Sequence, residues 1–182
     1  HDTVYETQRE RLFIVAVNCG RAGSTCFCAS MATGPRAETG FDLALTEVLE
    51  TERHYFVVEV GSEAGQRILD AVPLQPATDA DVQAADAIIA DTAAHMGRAL
   101  DTHGLKELLE NNFEHPEWDE VATRCLTCGS CTLVCPTCFC TTFEDVAELT
   151  GAAAQRIRRW DSCFTMDFSY MVGGHVRASA KS

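Results

Sequence analysis

A chain of 182 residues with 46% hydrophobic content suits one domain or two small ones and can bury a core, so folding need not depend on its cysteines. Its 14 basic against 27 acidic residues give a net charge of −13, which argues against nucleic acid and anionic membrane surfaces as partners. No apolar run approaches the ~18 residues of a membrane span and no signal peptide is visible, so ten cysteines point to a reducing cytoplasm and to metal rather than cross-links. The opening His1-Asp2-Thr3 lacks a methionine and reads as the start of an internal piece of a longer protein.

In chain order, residues 3–11 are charged and read as a helix end or linker, and residues 12–17 as a buried strand of β-branched and aromatic residues. Cys19, Cys26 and Cys28 follow around the flexible stretch Arg21-Ala22-Gly23-Ser24. If residues 25–28 are extended, Cys26 and Cys28 share one face, because side chains alternate along a strand. Residues 42–49 and 55–60 then predict a β-hairpin with residues 50–53 as its loop, feeding a helix over residues 62–72. A longer helix is signalled by Thr78-Asp79 as cap and by the apolar spacing Val82, Ala85, Ile88, Ile89, Ala93, Met96, Leu100, which marks a core face. His95, on this helix, reads as a surface residue rather than a ligand, as do His103 and His115.

Short helices over residues 105–113 and 118–123 deliver the chain to residues 125–140, CLTCGSCTLVCPTCFC. Its thiols at Cys125, Cys128, Cys131 and Cys135, followed by Pro136, have the C-x2-C-x2-C-x3-C-P spacing of ferredoxins that hold a [4Fe-4S] cluster. The physical reason is reach: closely spaced thiols curl the backbone around one corner of a cube, with amide N–H groups turned toward its sulfurs. Gly129 falls where a positive φ or a close approach costs least. Pro136 is expected to stop a helical turn over residues 132–134 and to turn the fourth cysteine away, toward a different cluster in two-cluster proteins. Zinc held by Cys125, Cys128, Cys135 and Cys138 is disfavoured, since only six residues separate the two C-x2-C pairs, short of the roughly 12 to 20 usual in zinc ribbons and fingers. Disulfides are disfavoured too, because thiols three residues apart on one turn pair poorly.

Beyond the run, residues 142–149 alternate, turn at Thr150-Gly151 and return through residues 155–160, a second hairpin. Gly173-Gly174 and the small polar tail, residues 178–182, read as a linker. The tetrapeptide TCFC occurs twice, at residues 25–28 and 137–140, each expected to lead into an acidic alternating strand. The two copies are read as halves of one further metal site, with Cys26 facing Cys138 and with Cys19, Cys26, Cys138 and Cys163 as its ligands. Cys28 and Cys140 stay open between ligation and packing as small buried hydrophobes.

The segments VAVNCG, TCFC, ATGPRAETGFDLALTE, CLTCGSCTLVCPTCFC and WDSCFTMDFSYMVGG together resemble the iron-sulfur, 4Fe-4S dicluster component found as the β subunit of soluble nickel-iron sulfhydrogenases and as the iron-sulfur subunit of anaerobic sulfite reductase. The resemblance runs from Arg11 onward, and CPTCFC after a ferredoxin run is its most specific part. It implies an electron-transfer subunit carrying one or more [4Fe-4S] clusters, docked between a flavin-containing, NAD(P)H-handling subunit on one side and a hydrogenase or sulfite-reducing subunit on the other. The family's first ferredoxin run falls on Cys125, Cys128, Cys131 and Cys135. Its second run, further on, has no counterpart before Ser182, so the chain is expected to be a fragment.

The expected fold is α+β, with β-hairpins and helices organised around cluster-binding loops and the ferredoxin-like run in the C-terminal half. Residues 1–100 form an N-terminal α+β region with the Cys19/Cys26/Cys28 loop, and residues 101–182 the helical lead-in, the run and the C-terminal hairpin. The expected chemistry is outer-sphere electron transfer with no catalytic side chain. The protein sets the potential, within roughly −700 to +450 mV for such clusters, through ligation, hydrogen bonds to sulfur, charge and exposure. The alternative is an iron-sulfur or zinc module for interaction or redox sensing, disfavoured by the absence of a basic patch that would serve a DNA-binding element.

Overall fold

The computed structural model describes residues 2–135, 137–165, 168, 170–175 and 179–181. They divide into two units, His1–Leu105 and Lys106–Ser182. Secondary structure is mixed α and β in both, as the composition of the predicted elements requires.

The first unit opens with α1 (Thr3–Arg9), a helix where a linker was an alternative, because Asp2 accepts from the Val4 and Tyr5 amides and caps it. Its sheet has the order β1-β2-β3, built from β1 (Val15–Val17), β2 (Leu43–Leu49) and β3 (His54–Val60). The β2–β3 hairpin forms as predicted, with the Glu50 amide donating to the Arg53 carbonyl at 2.8 Å. β1 corrects the sequence reading. It is three residues long and lies at the sheet's edge, parallel to β2, with Val15 and Val17 exposed rather than buried. An edge strand has a neighbour on one side only, so β-branched composition alone does not bury it.

α2 (Glu63–Leu69) is capped by Ser62, and α3 (Asp79–Ala94) by Thr78 in a capping box with Asp81. α3 stops at Ala94, short of the predicted Met96 and Leu100, with His95 as C-cap. It packs on β2 and β3. Leu43, Ala44 and Val48 of β2 and Ala85 and Ile89 of α3 make up the buried apolar core of the described residues. Gly65 of α2 lies so close to β2 that a Cβ there would meet the Asp42 carbonyl oxygen at 2.1 Å and Leu43 Cδ2 at 3.1 Å. Asp42 ties the sheet to its surroundings: its carboxylate accepts from Ser62 Oγ at 2.6 Å and from the Ile14 amide at 2.7 Å. The Ser62 hydroxyl, then the Ile14 amide, hold its pKa below the ordinary carboxylate value.

The second unit contains α4 (Leu105–Glu110), which begins at the boundary, α5 (Glu117–Arg124), α6 (Ser130–Val134), the hairpin β4 (Thr141–Ala147) and β5 (Ala154–Trp160), and the short ladder β6 (Tyr170–Met171) with β7 (Gly174–His175). The ladder corrects the reading of Gly173-Gly174 as linker: both residues have positive φ, 113° and 131°, and turn the chain back on itself. Pro136, expected to end the helical turn, lies outside the described residues, as do Ala178 and Ser182 of the expected tail. A second correction concerns the interior. No hydrophobic side chain is buried among the described residues of this unit; its buried side chains are Thr132 and Ser162. The hydrophobic content of the whole chain does not reveal how unevenly it is spent between the two halves.

Candidate metal centre

α5 carries the chain to Cys125, which closes the helix in extended backbone conformation, its amide donating to the Ala122 carbonyl. The chain then turns sharply twice. Thr127 has φ 50° and Gly129 has φ 71°, both left-handed, and α6 starts directly after Gly129. The first turn aims the Thr127 amide at Cys125 Sγ, 3.4 Å away, an N–H···S bond of the kind that tunes a sulfur ligand. The second turn admits only glycine for two reasons: the φ, and the proximity of Ser162, whose Cβ would lie 2.9 Å from a Cβ at position 129.

Ser162 was not singled out by the sequence. Its hydroxyl lies 2.7 Å from Thr132 Oγ1 on α6, both groups being buried, and it also accepts from the Phe164 amide at 3.2 Å. No spacing signal marks it; the only hint is that it precedes Cys163. The bond clamps the segment after β5 onto the helix between Cys131 and Cys135. Next to it, Asp161 donates its amide to the Cys140 carbonyl at 3.0 Å, continuing the β4–β5 ladder by one step, and the Cys138 amide returns to the Cys135 carbonyl at 3.1 Å.

The electrostatics separate the thiols. The Ser130 hydroxyl, 3.3 Å from Cys128 Sγ, and the Ser130 amide favour the Cys128 thiolate and lower its pKa. Thr137 acts likewise on Cys135, its Oγ1 lying 3.0 Å from Sγ, with the Cys138 thiol adding to the effect. Cys138 is pushed the other way, first by sharing its proton with Cys135, then by burial and by the charges of Cys135, Cys140 and Cys163.

Cys125, Cys128, Cys131 and Cys135 lie on one continuous loop-and-helix segment of the second unit, with Cys138 and Cys163 in the same unit; Cys19 and Cys26 belong to the first. The TCFC copies differ in setting, which corrects their expected equivalence. Cys140 runs straight into β4, whereas Cys28 begins a 3₁₀ turn, Cys28–Met31, and strand β2 starts only at Leu43. Cys26 and Cys28 are consequently not neighbours on an extended face. Cys28 instead points its thiol at Met96 Sδ, 3.9 Å away, and sits 3.1 Å from the Cβ position of Gly34, a packed environment. His95 bonds its ring Nδ1 to the Asp91 carbonyl at 2.9 Å and is exposed, as a surface histidine should be.

This donor set fits a [4Fe-4S] group. None of the ten cysteines is in a disulfide, those of the second unit are exposed or half-buried, and two have their thiolate forms favoured. Among the described residues, no three His, Cys, Asp or Glu side chains converge as ligands of a single ion would. In a cubane each thiolate binds its own iron, so its ligands need not converge on one point.

Comparison with known proteins gives the class first. A family model described as a 4Fe-4S dicluster domain matches residues 124–182, so this is an iron-sulfur chain whose cofactor is of the [4Fe-4S] kind. Within that class it is hydrogenase-β-like: it is 34% identical over 181 residues to sulfhydrogenase 2 subunit beta of Pyrococcus furiosus, a match covering 96% of this chain and 51% of that protein. The chain thus spans about half the length of this curated relative. No solved structure matches it.

Proposed function

We propose that the chain is an electron-transfer component whose cysteine run, Cys125, Cys128, Cys131 and Cys135, supplies thiolates to [4Fe-4S] clusters, in a reducing compartment such as the cytoplasm. The observation that carries this reading is the segment from Cys125, at the end of α5, through α6 to Cys135. It presents four thiols in ferredoxin order around a left-handed glycine, with an amide already bonded to one ligand sulfur. When bound, such a cluster accepts and releases one electron at a time, with no proton acceptor or nucleophile required of the protein.

The chain's own residues then have three tasks. The cysteines hold the group, Thr127 and Ser130 donate or offer hydrogen bonds at sulfur, and the clamp at Thr132 and Ser162 fixes the loop. The acidic balance of the chain favours the oxidised state, which lowers the potential, although exposed charges are screened at physiological salt.

The electrons pass between a flavin-containing, NAD(P)H-handling subunit on one side and a hydrogenase or sulfite-reducing subunit on the other. Two features support docking of this kind. The relative is named as one subunit of a larger protein. The β4–β5 hairpin also leaves Phe143, Trp160 and Leu149 exposed, an aromatic surface of the type enriched at protein interfaces. Among the described residues no helix is long and apolar enough to cross a membrane.

The test is the Cys128→Ala variant in the full chain, reconstituted anaerobically with ferrous iron and sulfide. A methyl group cannot replace a thiolate ligand, so iron content and the brown visible absorption should fall. Wild-type iron and absorption in this variant would end the reading. Reversible bleaching of the wild-type band by dithionite, with an unchanged far-ultraviolet circular dichroism spectrum, distinguishes a carrier from a sensor that loses its cluster on a redox cycle.

A further inference from the structure

Three thiols of the run have a hydroxyl residue two positions further on. Thr127 follows Cys125 in this way, Ser130 follows Cys128 and Thr137 follows Cys135, whereas Cys131 is followed by Leu133. The fold uses the three differently. Thr127 reaches Cys125 Sγ through its amide, while its hydroxyl donates to the Leu126 carbonyl at 2.8 Å. Ser130 and Thr137 reach their sulfurs through the side chain: Ser130 Oγ lies 3.3 Å from Cys128 Sγ, and Thr137 Oγ1 lies 3.0 Å from Cys135 Sγ. Any residue but proline supplies an amide, so only these last two contacts depend on which side chain stands there.

As a thiol, Cys128 donates to Ser130 Oγ. A cysteine that ligates iron has given up its proton, so the contact persists only with the hydroxyl as donor. A hydrogen bond donated to a ligand sulfur stabilises the reduced state more than the oxidised one, because the added electron puts more negative charge on sulfur.

We propose that the Ser130 and Thr137 hydroxyls, acting through Cys128 and Cys135, raise the reduction potential of the [4Fe-4S] group against the downward pull of the chain's net charge of −13. This rests on the iron-sulfur reading above and adds which side chains set the potential. Neither residue is a ligand; each acts through the sulfur it faces. Both are exposed, so water competes for the same sulfurs. The hydroxyl has the advantage of its short tether, which holds the donor in place without immobilising a water molecule.

The experiment is a potentiometric titration of the full chain, reconstituted anaerobically with ferrous iron and sulfide and read by electron paramagnetic resonance. Ser130→Ala and Thr137→Val should each keep wild-type iron and sulfide. Each should lower the midpoint of the cluster its cysteine serves by about threefold to tenfold in the reduction equilibrium, about 28–59 mV for one electron. Ser130→Thr and Thr137→Ser keep a hydroxyl and should hold the wild-type midpoint. Thr123→Val, whose hydroxyl bonds the Glu120 carbonyl within α5, should match wild type.

Unchanged midpoints in both variants, with their iron retained, would overturn the proposal and leave the iron-sulfur reading intact, since water would then serve the sulfurs equally well. A shift in one variant alone would overturn the half that does not move. An equal fall in Ser130→Thr or Thr137→Ser would also overturn it, because the change would come from side-chain shape rather than from the hydroxyl. So would loss of iron from a variant that keeps its wild-type circular dichroism, which would make the hydroxyl part of the hold on the cluster. Reconstituted wild type that takes up no iron and sulfide would count against the iron-sulfur reading itself, and the proposal would fall with it. Should Ser130→Ala or Thr137→Val fail to fold, Ser130→Gly and Thr137→Ala are read by the same titration.

Discussion

Ser162 Oγ and Thr132 Oγ1 lie 2.7 Å apart, and they are the buried side chains of a unit in which no described hydrophobic residue is buried. This hydroxyl pair is the buried contact that joins the segment after β5 to α6. Removing Ser162 takes away the partner of the buried Thr132 hydroxyl and of the Phe164 amide, whereas removing Thr132 leaves Ser162 Oγ with the Phe164 amide alone. Thr132→Val and Ser162→Ala are each expected to cost about 1–3 kcal/mol. The double variant should cost less than their sum, by a coupling of about 0.5–3 kcal/mol. Urea titration followed by tryptophan fluorescence measures this, since Trp118 and Trp160 both lie in the second unit. Strict additivity would show that the contact is not energetically real.

Gly129 faces two constraints that separate experimentally. Its φ of 71° costs any L-residue about 1–2 kcal/mol, and a Cβ would sit 2.9 Å from that of Ser162. Gly129→Ala is therefore expected to lower iron retention by loosening the turn between Cys128 and Cys131. Adding Ser162→Gly relieves the clash but not the strain and forfeits the hydroxyl pair, so iron retention should not return to wild type. Full retention in Gly129→Ala alone would mean the loop can shift without disturbing its thiols.

Cluster removal should divide the molecule. The first unit keeps Leu43, Ala44, Val48, Ala85 and Ile89 as its core, whereas the second has no comparable reserve among its described residues. Because a bound group stabilises only the state that binds it, chelation of iron should lower the tryptophan-detected transition. Much of the far-ultraviolet dichroism should survive, from α3 and the β1–β3 sheet. The converse variant is Ile89→Ala, expected to cost about 2–5 kcal/mol in the first unit. Simultaneous loss of both signals on chelation would show that the first unit also depends on metal.

Two carboxylates of the first unit make its stability depend on pH in the acid range. Asp81 is held well below the usual carboxylate range by the Thr78 hydroxyl and amide and by Arg53, and Asp42 is lowered by Ser62 and Ile14. A depressed folded-state pKa means that the unfolded chain binds protons first as pH falls. The stabilisation is present above the ordinary carboxylate pKa, near pH 4, and is lost progressively below it. Stability measured by dichroism should therefore decline below about pH 4, and the decline should be shallower in Asp81→Asn, which also starts from a lower stability. An unchanged slope would remove Asp81 from the account.

The cofactor class and most of the local structure were legible from the amino-acid order alone. The C-x2-C-x2-C-x3-C spacing, Thr78 as a cap, the hairpin loop at residues 50–53 and the turn at Gly151 can all be read there because each depends on residues a few positions apart. What depends on distant residues emerged only from the folded chain. The parallel pairing of β1 with β2 joins strands separated by the whole Cys19–Cys28 loop, and it left Val15 and Val17 exposed on an edge that composition would have buried. The two TCFC copies are identical as strings, yet Cys28 turns into a 3₁₀ helix against Met96 while Cys140 enters a strand beside Asp161. Ser162 carried no spacing signal, because Thr132 and Gly129 are some thirty residues away and its bond to Thr132 exists only once the hairpin has folded back onto α6.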